Sequence, residues 1–507
     1  MSSVICWFHN DLRLADHPAL VAAIESGQAV IPLYIHDEVA PKQWRVKGAA
    51  KLGLDMALRN LDASLRGLGS RLITARVSSS THASAESVFT HLIQHLKNST
   101  PITAVYCHRH YEPWAVARQK RVGQALAKLG VDFECVPTPA TLLIQPNSIH
   151  TKSHTRFQVF TAFKKTLVAQ RVHWWRTPLP PPKSLPPIPQ NLATLTSISS
   201  IDDLGLTQPV MPWHRQIYNH WQIGEEAAHK QLKTFIATGL AGYGTRRDFM
   251  SEAGTSSLSP QLRFGTLSPM QIVGQILGQI GGKTGGQISH AAVDGSGGAW
   301  PEEGTGAEKF VSEVIWREFN YELLDQYPHL PNTPIKQEFT QFPWRSKADY
   351  HPDLVAWQKG LTGYPLVDAG TRQLYATGWM HNRVRMITAS VLTKHLLIPW
   401  QEGAAWFFDT LLDADLASNS GNWQWVAGCG ADAVPYFRIF NPTSQINKFK
   451  AYDYIRQWLP ELASLPDAIL LAPPTRENYP PPLINHDKAR GRALDSLKIM
   501  RSKTSPQ

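Results

Sequence analysis

The chain has 507 residues, 43% of them hydrophobic and only 18% charged, with 17 tryptophans along its length; this composition excludes wholesale disorder and provides for two large domains or three smaller ones. Lys and Arg number 50 against 40 Asp and Glu, a formal net charge of +10 that favours a polyanionic partner without naming it. Four cysteines at 6, 107, 135 and 429 form no CxxC pair, which argues against a disulfide framework and a zinc site and for a reducing compartment.

The N-terminus, MSSVICWFHNDLRLADHPAL, meets Asp11, Arg13 and Asp16 before a signal-peptide core accumulates. No later stretch has the ~18 uninterrupted apolar residues of a membrane span, so the expectation is a soluble cytoplasmic protein with no membrane partner. Residues 4–8 (VICWF) and 30–35 (VIPLYI) have the length and character of strands. Between them DHPALVAAIESG carries the Asp cap, early Pro and closing Gly of a helix. The alternation continues with a helix over 48–66, a strand over 71–77, a helix near 84–97, a strand over 102–106 and a helix near 115–129. Residues 1–135 are therefore predicted to form an α/β domain with a doubly wound parallel sheet. No GxGxxG follows the first strand, so the dinucleotide fingerprint is absent.

Residues 136–212 are predicted to be an interdomain linker, because 178–189 (PLPPPKSLPPIP) place seven prolines in twelve positions and favour extended polyproline structure. From residue 213 onward the texture is that of long helices, and 12 of the 17 tryptophans lie there. Residues 213–475 are predicted to be a large all-helical domain, with 476–507 as a C-terminal tail. Within it, 281–306 holds nine glycines in 26 residues and reads as a flexible surface insertion. Gly278-x-x-Gly281-Gly282-Lys283-Thr284 falls one residue short of a phosphate-binding P-loop, with Leu277 where the first glycine belongs.

Four segments concentrate chemistry. On a helix over 307–324, Phe310, Val311, Val314, Ile315, Phe319 and Tyr321 share an apolar arc, while Glu313, Trp316, Arg317 and Asn320 share the other; the second arc reads either as the lining of a polar cavity or as a solvated face with a Glu–Arg pair. WMHNRVRM at 379–386 sets Asn382 and Met386 four residues apart among cations. DADLASNSGNWQW at 413–425 fails as a calcium loop, since Ala417 occupies a ligand position and no Glu closes it; helix capping by Asp413 is its plainer reading. YGTRRDFMSEAGTSSLSP at 243–260 clusters hydroxyls beside Arg246 and Arg247, as a diphosphate would require or as a helix cap would.

Taken together, WFHNDLRLADHPAL, TSSLSPQLRFGTLSP, VIWREFNYELL, TGYPLVDAGTRQL, GWMHNRVRM and DADLASNSGNWQW through PYFRIFNPTSQ match, in order, the motifs of the photolyase/cryptochrome flavoproteins. Among them the chain most resembles the bacterial-type (class I) cyclobutane pyrimidine dimer photolyases. The resemblance implies an antenna chromophore in the α/β domain and FAD, active in its reduced anionic form, in the helical domain. Tyr243, Thr255, Ser256, Ser257, Leu258, Ser259, Arg317, Arg385, Asp413, Asp415 and Asn419 match the family's flavin-binding positions. Glu313, Trp316, Asn382, Met386 and Trp425 match the pocket for a lesion flipped out of UV-damaged DNA, with Glu313 protonated to donate a hydrogen bond to the dimer. Arg247, Arg383 and Gln445, beside Trp316 and Asn382, match DNA contacts. Trp423, Trp400 and Trp344 match the chain of indoles that photoreduces the flavin; by spacing alone they read as core.

The implied reaction is light-driven transfer of one electron from reduced FAD to the dimer, ring splitting and return of the electron, by a monomer without a metal. Trp114-Ala115 replaces the Asn-Glu pair of folate-binding relatives, so methenyltetrahydrofolate is disfavoured, and a deazaflavin, a flavin or an empty pocket stays open. A cryptochrome-type photoreceptor and a (6-4) photolyase are the alternatives on the same fold.

Overall fold

In the computed structural model, which describes residues 2–504 apart from 81, 187, 190–191, 193–197, 282–299, 433–436 and 473–478, five parallel strands make one sheet. They are β1 (Ser3–Phe8), β2 (Ala29–Asp37), β3 (Ile73–Val77), β4 (Ile102–His108) and β5 (Asp132–Val136), in the order β3-β2-β1-β4-β5. Helices α1 (Pro18–Glu25), α2 (Gly48–Gly67), α3 (Ala85–Leu96) and α4 (Pro113–Lys128) alternate with them. All six residues of β1 are buried, as expected of a parallel strand covered on both faces. β5 is absent from the sequence-based prediction because DFECV, on the sheet edge, is half exposed and lacks a continuous apolar run.

The WFHNDLRLADHPAL motif works at the strand ends. Asp11 accepts from His108 Nδ1 at 2.6 Å and lies 3.3 Å from His17 Nε2, all three side chains being buried. These groups are close enough to hold a metal ion, yet the Leu20 amide donates to His17 Nδ1 and the Ala19 amide to His108 Nε2. Both imidazole lone pairs are thereby spent on backbone, and each remaining N–H is left for Asp11. Burial lowers His108 to about 4, against the pull of Asp11. Arg13, wholly buried, donates to the carbonyls of Ala15 and Gly265 at 3.0 and 2.9 Å and to that of Ala140 at 2.7 Å. One guanidinium thus ties the α/β layer to two later segments.

The remainder is helical: α5 (Phe160–Ala169), α6 (Arg171–Trp174), α7 (His214–His220), α8 (Glu225–Thr238), α9 (Tyr243–Arg246), α10 (Ser259–Phe264), α11 (Pro269–Gly281), α12 (Gly306–Gln326), α13 (Lys347–Gln358), α14 (Pro365–Thr377), α15 (Asn382–Ser390), α16 (Trp400–Thr410), α17 (Leu416–Ala427), α18 (Pro442–Lys448), α19 (Tyr452–Trp458), α20 (Asp467–Leu470) and α21 (His486–Thr504). Among the described residues no helix is long and apolar enough to cross a membrane.

Two predicted irregular regions contain helices. The linker encloses α5, because Phe160, Phe163 and Leu167 form a buried stripe that packs on α12. The tail encloses α21, whose Ala489, Ala493, Leu497 and Met500 are buried. The described part of the proline-rich stretch has neither helix nor strand. Residues 282–299 of the glycine-rich insertion, and with them the end of the near P-loop, lie outside the described residues.

Candidate functional site

The residues expected to hold a flavin come from α9, α12, α15, α17 and the loop before α10. Asp413, buried ahead of α17, receives Arg385 of α15 in a two-point ion pair, with Nη1 to Oδ1 at 3.2 Å and Nη2 to Oδ2 at 2.9 Å. Arg385 Nε also donates to the Met380 carbonyl at 2.7 Å, so the guanidinium is held on both sides. Asp415 is the N-cap of α17, accepting from the Ser418 amide at 2.8 Å and from the Tyr321 hydroxyl at 2.6 Å. Asn419, one turn on, gives its amide to the Ala404 carbonyl at 2.9 Å and thereby presents its own carbonyl oxygen.

Arg317 is more committed than the sequence implied: it donates to the Thr141 carbonyl, lies 4.0 Å from Asp415 and sits 4.9 Å over the Tyr321 ring. In the hydroxyl-bearing loop, Gln231 of α8 donates to the Ser256 and Ser257 carbonyls at 2.9 and 2.8 Å. Ser256 Oγ accepts from the Leu258 amide at 3.3 Å and keeps its own hydrogen to give. Leu258 is buried, Tyr243 is buried, and Thr255, Ser256 and Ser257 are half-buried. Trp379 Nε1 donates to Ser259 Oγ at 3.4 Å, and Arg385 lies 5.9 Å over the Trp379 ring. These contacts bring the loop and the Arg385–Asp413 pair to one place. Hydroxyl donors for a diphosphate, a fixed cation–carboxylate pair and an inward amide carbonyl are the donor set that FAD requires, and the residues fit it.

The face expected to meet DNA is wired together before any ligand arrives. Glu313 is about a third exposed (32%) and ion-paired with Arg247. A carboxylate in that pair cannot donate a hydrogen bond, so the expected protonated, desolvated Glu313 is not the arrangement present here, and Arg247 is its partner rather than a free DNA contact. Asp248 extends the chain, reaching Arg383 at 2.7 Å and Arg247 at 4.0 Å. Sequence reasoning misses Asp248 because a lone aspartate beside two arginines reads as surface charge. Arg383 also covers the Phe449 ring at 4.9 Å, next to α18, which carries the half-buried Gln445. Asn382 is exposed, while Met386 and Trp425 are half-buried. Trp316 lies flat on Phe160 of α5, centroids 3.7 Å apart and planes 8° apart. Phe160 falls within the predicted linker, so only the structure reveals the stack.

Of the expected electron carriers, Trp423 and Trp400 are buried and Trp344 is half-buried against Phe342 at 4.4 Å. α16 and α17 meet closely because Gly403 leaves room for an indole: a Cβ there would stand 2.1 Å from the Trp423 ring. Gly403→Ala is expected to cost about 1–3 kcal/mol through overpacking and to move Trp423. Thermal melting, with photoreduction of the oxidised flavin as a second readout, checks this; an unchanged melting temperature refutes it. A second aromatic series, not anticipated from sequence, also leaves Trp423. Its ring centre is 6.3 Å from Trp357, Trp357 is 4.9 Å from Trp406, and Trp406 is 5.7 Å from Tyr375, which is 43% exposed. The three come from α13, α16 and α14, so no local spacing could have signalled them.

A separate cavity of about 490 Å³, partly open to solvent, lies at the carboxyl ends of the strands, between the sheet and the helical domain. Strand order reverses there between β1 and β4, where open α/β sheets bind ligands. Trp44, Trp114, Tyr34 and Phe408 supply flat apolar walls, and Arg118 and Arg263 supply cations. Arg118, buried, lies 4.9 Å over Trp114, so the indole that replaces an asparagine is itself part of the wall.

Comparison with known proteins agrees with this geometry. Residues 4–183 match the family described as DNA photolyase, and residues 310–499 match the FAD binding domain of DNA photolyase. The chain is 38% identical to the deoxyribodipyrimidine photo-lyase of Agrobacterium fabrum, over 99% of this chain and 98% of that one. It is 30% identical to Cryptochrome-1 of Arabidopsis thaliana, over 98% of this chain and 70% of that one. Among solved structures, a class III photolyase from Agrobacterium tumefaciens superposes with a TM-score of 0.83 at 36% identity, covering 99% of this chain and 98% of that one. An archaeal photolyase from Sulfolobus tokodaii, described as containing two FAD molecules, superposes with a TM-score of 0.75 at 26% identity, covering 98% of this chain and all of that one. An α/β layer feeding a helical domain whose donors suit FAD, matched along its whole length by these relatives, identifies the chain as an FAD-binding enzyme of the deoxyribodipyrimidine photo-lyase type, a member of the photolyase/cryptochrome family.

Proposed function

We propose that this protein repairs cyclobutane pyrimidine dimers in DNA. The observation that carries the choice of lesion is the chemistry of His381, the imidazole at the start of α15. Its Nδ1 accepts from the Arg383 amide at 3.2 Å, and burial lowers it to about 4, with Asp248 opposing. A neutral ring whose lone pair is already used is a poor acid near pH 7. Reversal of a (6-4) photoproduct calls for proton transfer, whereas splitting a cyclobutane dimer does not. The neighbours Asn382 and Met386 can hydrogen-bond and pack but not deliver a proton. Reduced FAD, when bound, supplies the photoexcited electron and takes it back. Trp316, backed by Phe160, offers a rigid flat surface for the flipped lesion, and Trp425 faces the same task from α17. Arg247 and Arg383 meet the flanking phosphates once they leave Glu313 and Asp248.

The test is illumination of reduced enzyme with each defined lesion, scoring restored bases by chromatography. Restoration of the cyclobutane dimer with negligible (6-4) reversal is expected. Efficient (6-4) reversal overturns the choice of lesion, and no repair of either moves the reading to a photoreceptor. The motif-based assignment to class I belongs to this proposal and stands beside the class III structural relative.

Photoreduction through Trp423 belongs to the same proposal, with Trp400 and Trp344 on one branch and Trp357, Trp406 and Tyr375 on the other. Trp400→Phe is expected to slow photoreduction of the oxidised flavin, and Trp400→Phe with Trp406→Phe to stop it, while chemically reduced double variant still repairs DNA. Light-minus-dark flavin spectra decide, and a parental rate in the double variant shows these indoles to be core alone. The cavity at the strand ends suits a second, planar chromophore bearing negative charge, opposite Arg118 and Arg263; its identity is read by acid extraction and absorption of what the purified protein releases.

A further inference from the structure

Two of the four cysteines are neighbours in space. Cys107 of β4 and Cys135 of β5 are register partners on adjacent parallel strands, so both side chains project from the same face of the sheet. Such partners have Cα atoms roughly 4.8 Å apart, within the ~4.4–6.8 Å span that a disulfide bridges. Their thiols hydrogen-bond one another. Gln119 of α4 gathers them: its Nε2 lies 3.1 Å from Cys107 Sγ and 3.8 Å from Cys135 Sγ. Gln119 is itself fixed, giving 2.8 Å to the His108 carbonyl and accepting from the His110 amide at 3.1 Å. The sulfurs are thus a held pair on an edge strand free to adjust on one side.

We propose that Cys107 and Cys135 form a redox-modification site, a dithiol that peroxide converts to an intramolecular disulfide joining β5 to β4. The pair is asymmetric in the way such a reaction needs. Cys135 is exposed and Cys107 is fully buried, so oxidant enters at Cys135. The hydrogen bond from Cys107 lowers the Cys135 thiol to about 7, with burial opposing and Arg109 assisting, while burial raises Cys107 well above the ordinary thiol range. Cys135 is therefore the sulfur with thiolate at neutral pH.

The thiolate attacks one peroxide oxygen, the O–O bond breaks, hydroxide leaves, and Cys135 is oxidised by two electrons to the sulfenic acid. Cys107 Sγ then attacks Cys135 Sγ and gives up its proton; the S–S bond forms, the S–O bond breaks and water departs. Two thiols and one hydrogen peroxide become one disulfide and two waters. Cys6 and Cys429 are buried and take no part.

The experiment exposes native holoenzyme to hydrogen peroxide, alkylates it after denaturation and maps the peptides by mass. Two of the four thiols are expected to vanish, with Cys107 and Cys135 in one crosslinked pair two hydrogens lighter than the separate peptides, and dithiothreitol is expected to restore all four. In Cys107→Ser, Cys135 is expected to be trapped by a cyclic 1,3-diketone; in Cys135→Ser, Cys107 is expected to stay unmodified. Four thiols surviving in native protein overturn the proposal. So does loss of Cys135 to an intermolecular bond or a higher oxide while Cys107 is still alkylated. The parental protein alone distinguishes these outcomes, whether or not the variants fold.

Discussion

Asp413→Ala is expected to purify without flavin and with lowered stability. The Arg385–Asp413 pair has its carboxylate nearly inaccessible, at 3% exposure of the side chain, and its guanidinium at 23%. Removing the carboxylate leaves Arg385 facing Met380 O alone, and stripping one partner from a buried pair costs on the order of 3 kcal/mol. The same change removes the anchor that orients Arg385, which we propose lies beside the flavin. Flavin absorption per protein and the thermal midpoint are the measurements. Asp413→Asn keeps the volume and some hydrogen bonding but not the charge, and is expected to fall between. An alanine variant that purifies with a full complement of FAD removes Asp413 from the cofactor site and leaves it a structural ion-pair partner.

Glu313→Ala is expected to keep its FAD and to lose repair per absorbed photon. In the protein without DNA, Glu313 holds Arg247 and, through Asp248, borders Arg383. The proposed sequence is an exchange of partners: lesion phosphates draw Arg247 away, and the released carboxyl turns to the flipped dimer. A hydrogen bond to a charged group is worth about 1.5–3 kcal/mol, so splitting should lose roughly 10- to 100-fold against unproductive return of the electron. The variant also frees Arg247, so DNA affinity should hold or rise, whereas Arg247→Ala should weaken binding and flatten its salt dependence. Lesion binding assays at several salt concentrations, beside quantum-yield measurements, separate the two effects. An unchanged yield in Glu313→Ala with normal binding removes Glu313 from the chemistry.

The α/β layer and the helices were legible because their signals are local. VICWF and VIPLYI are strands whose both faces are covered, so each is apolar without interruption, and the helix over 307–324 displayed its apolar arc within one segment. β5 escaped because an edge strand needs no such run. The stripe Phe160, Phe163, Leu167 in α5 and the helix α21 were local too, but a proline-rich neighbour and a position near the C-terminus masked them.

The candidate site was legible in its residue types and not in its bonds. Motif order named Glu313, Arg385, Asp413 and Asn419 without their partners. That Glu313 faces Arg247, that Trp316 leans on Phe160, and that Cys107 stands opposite Cys135 each depends on segments distant in sequence. Sequence by itself determined the order of elements, the cofactor-binding composition and the family resemblance, since these rest on periodicity, caps and the identity of side chains along one strand of chain. Tertiary structure alone decided which charges are already paired, which indoles touch and which thiols meet, because Coulomb attraction, ring stacking and disulfide chemistry act over a few ångströms of space whatever the separation along the chain.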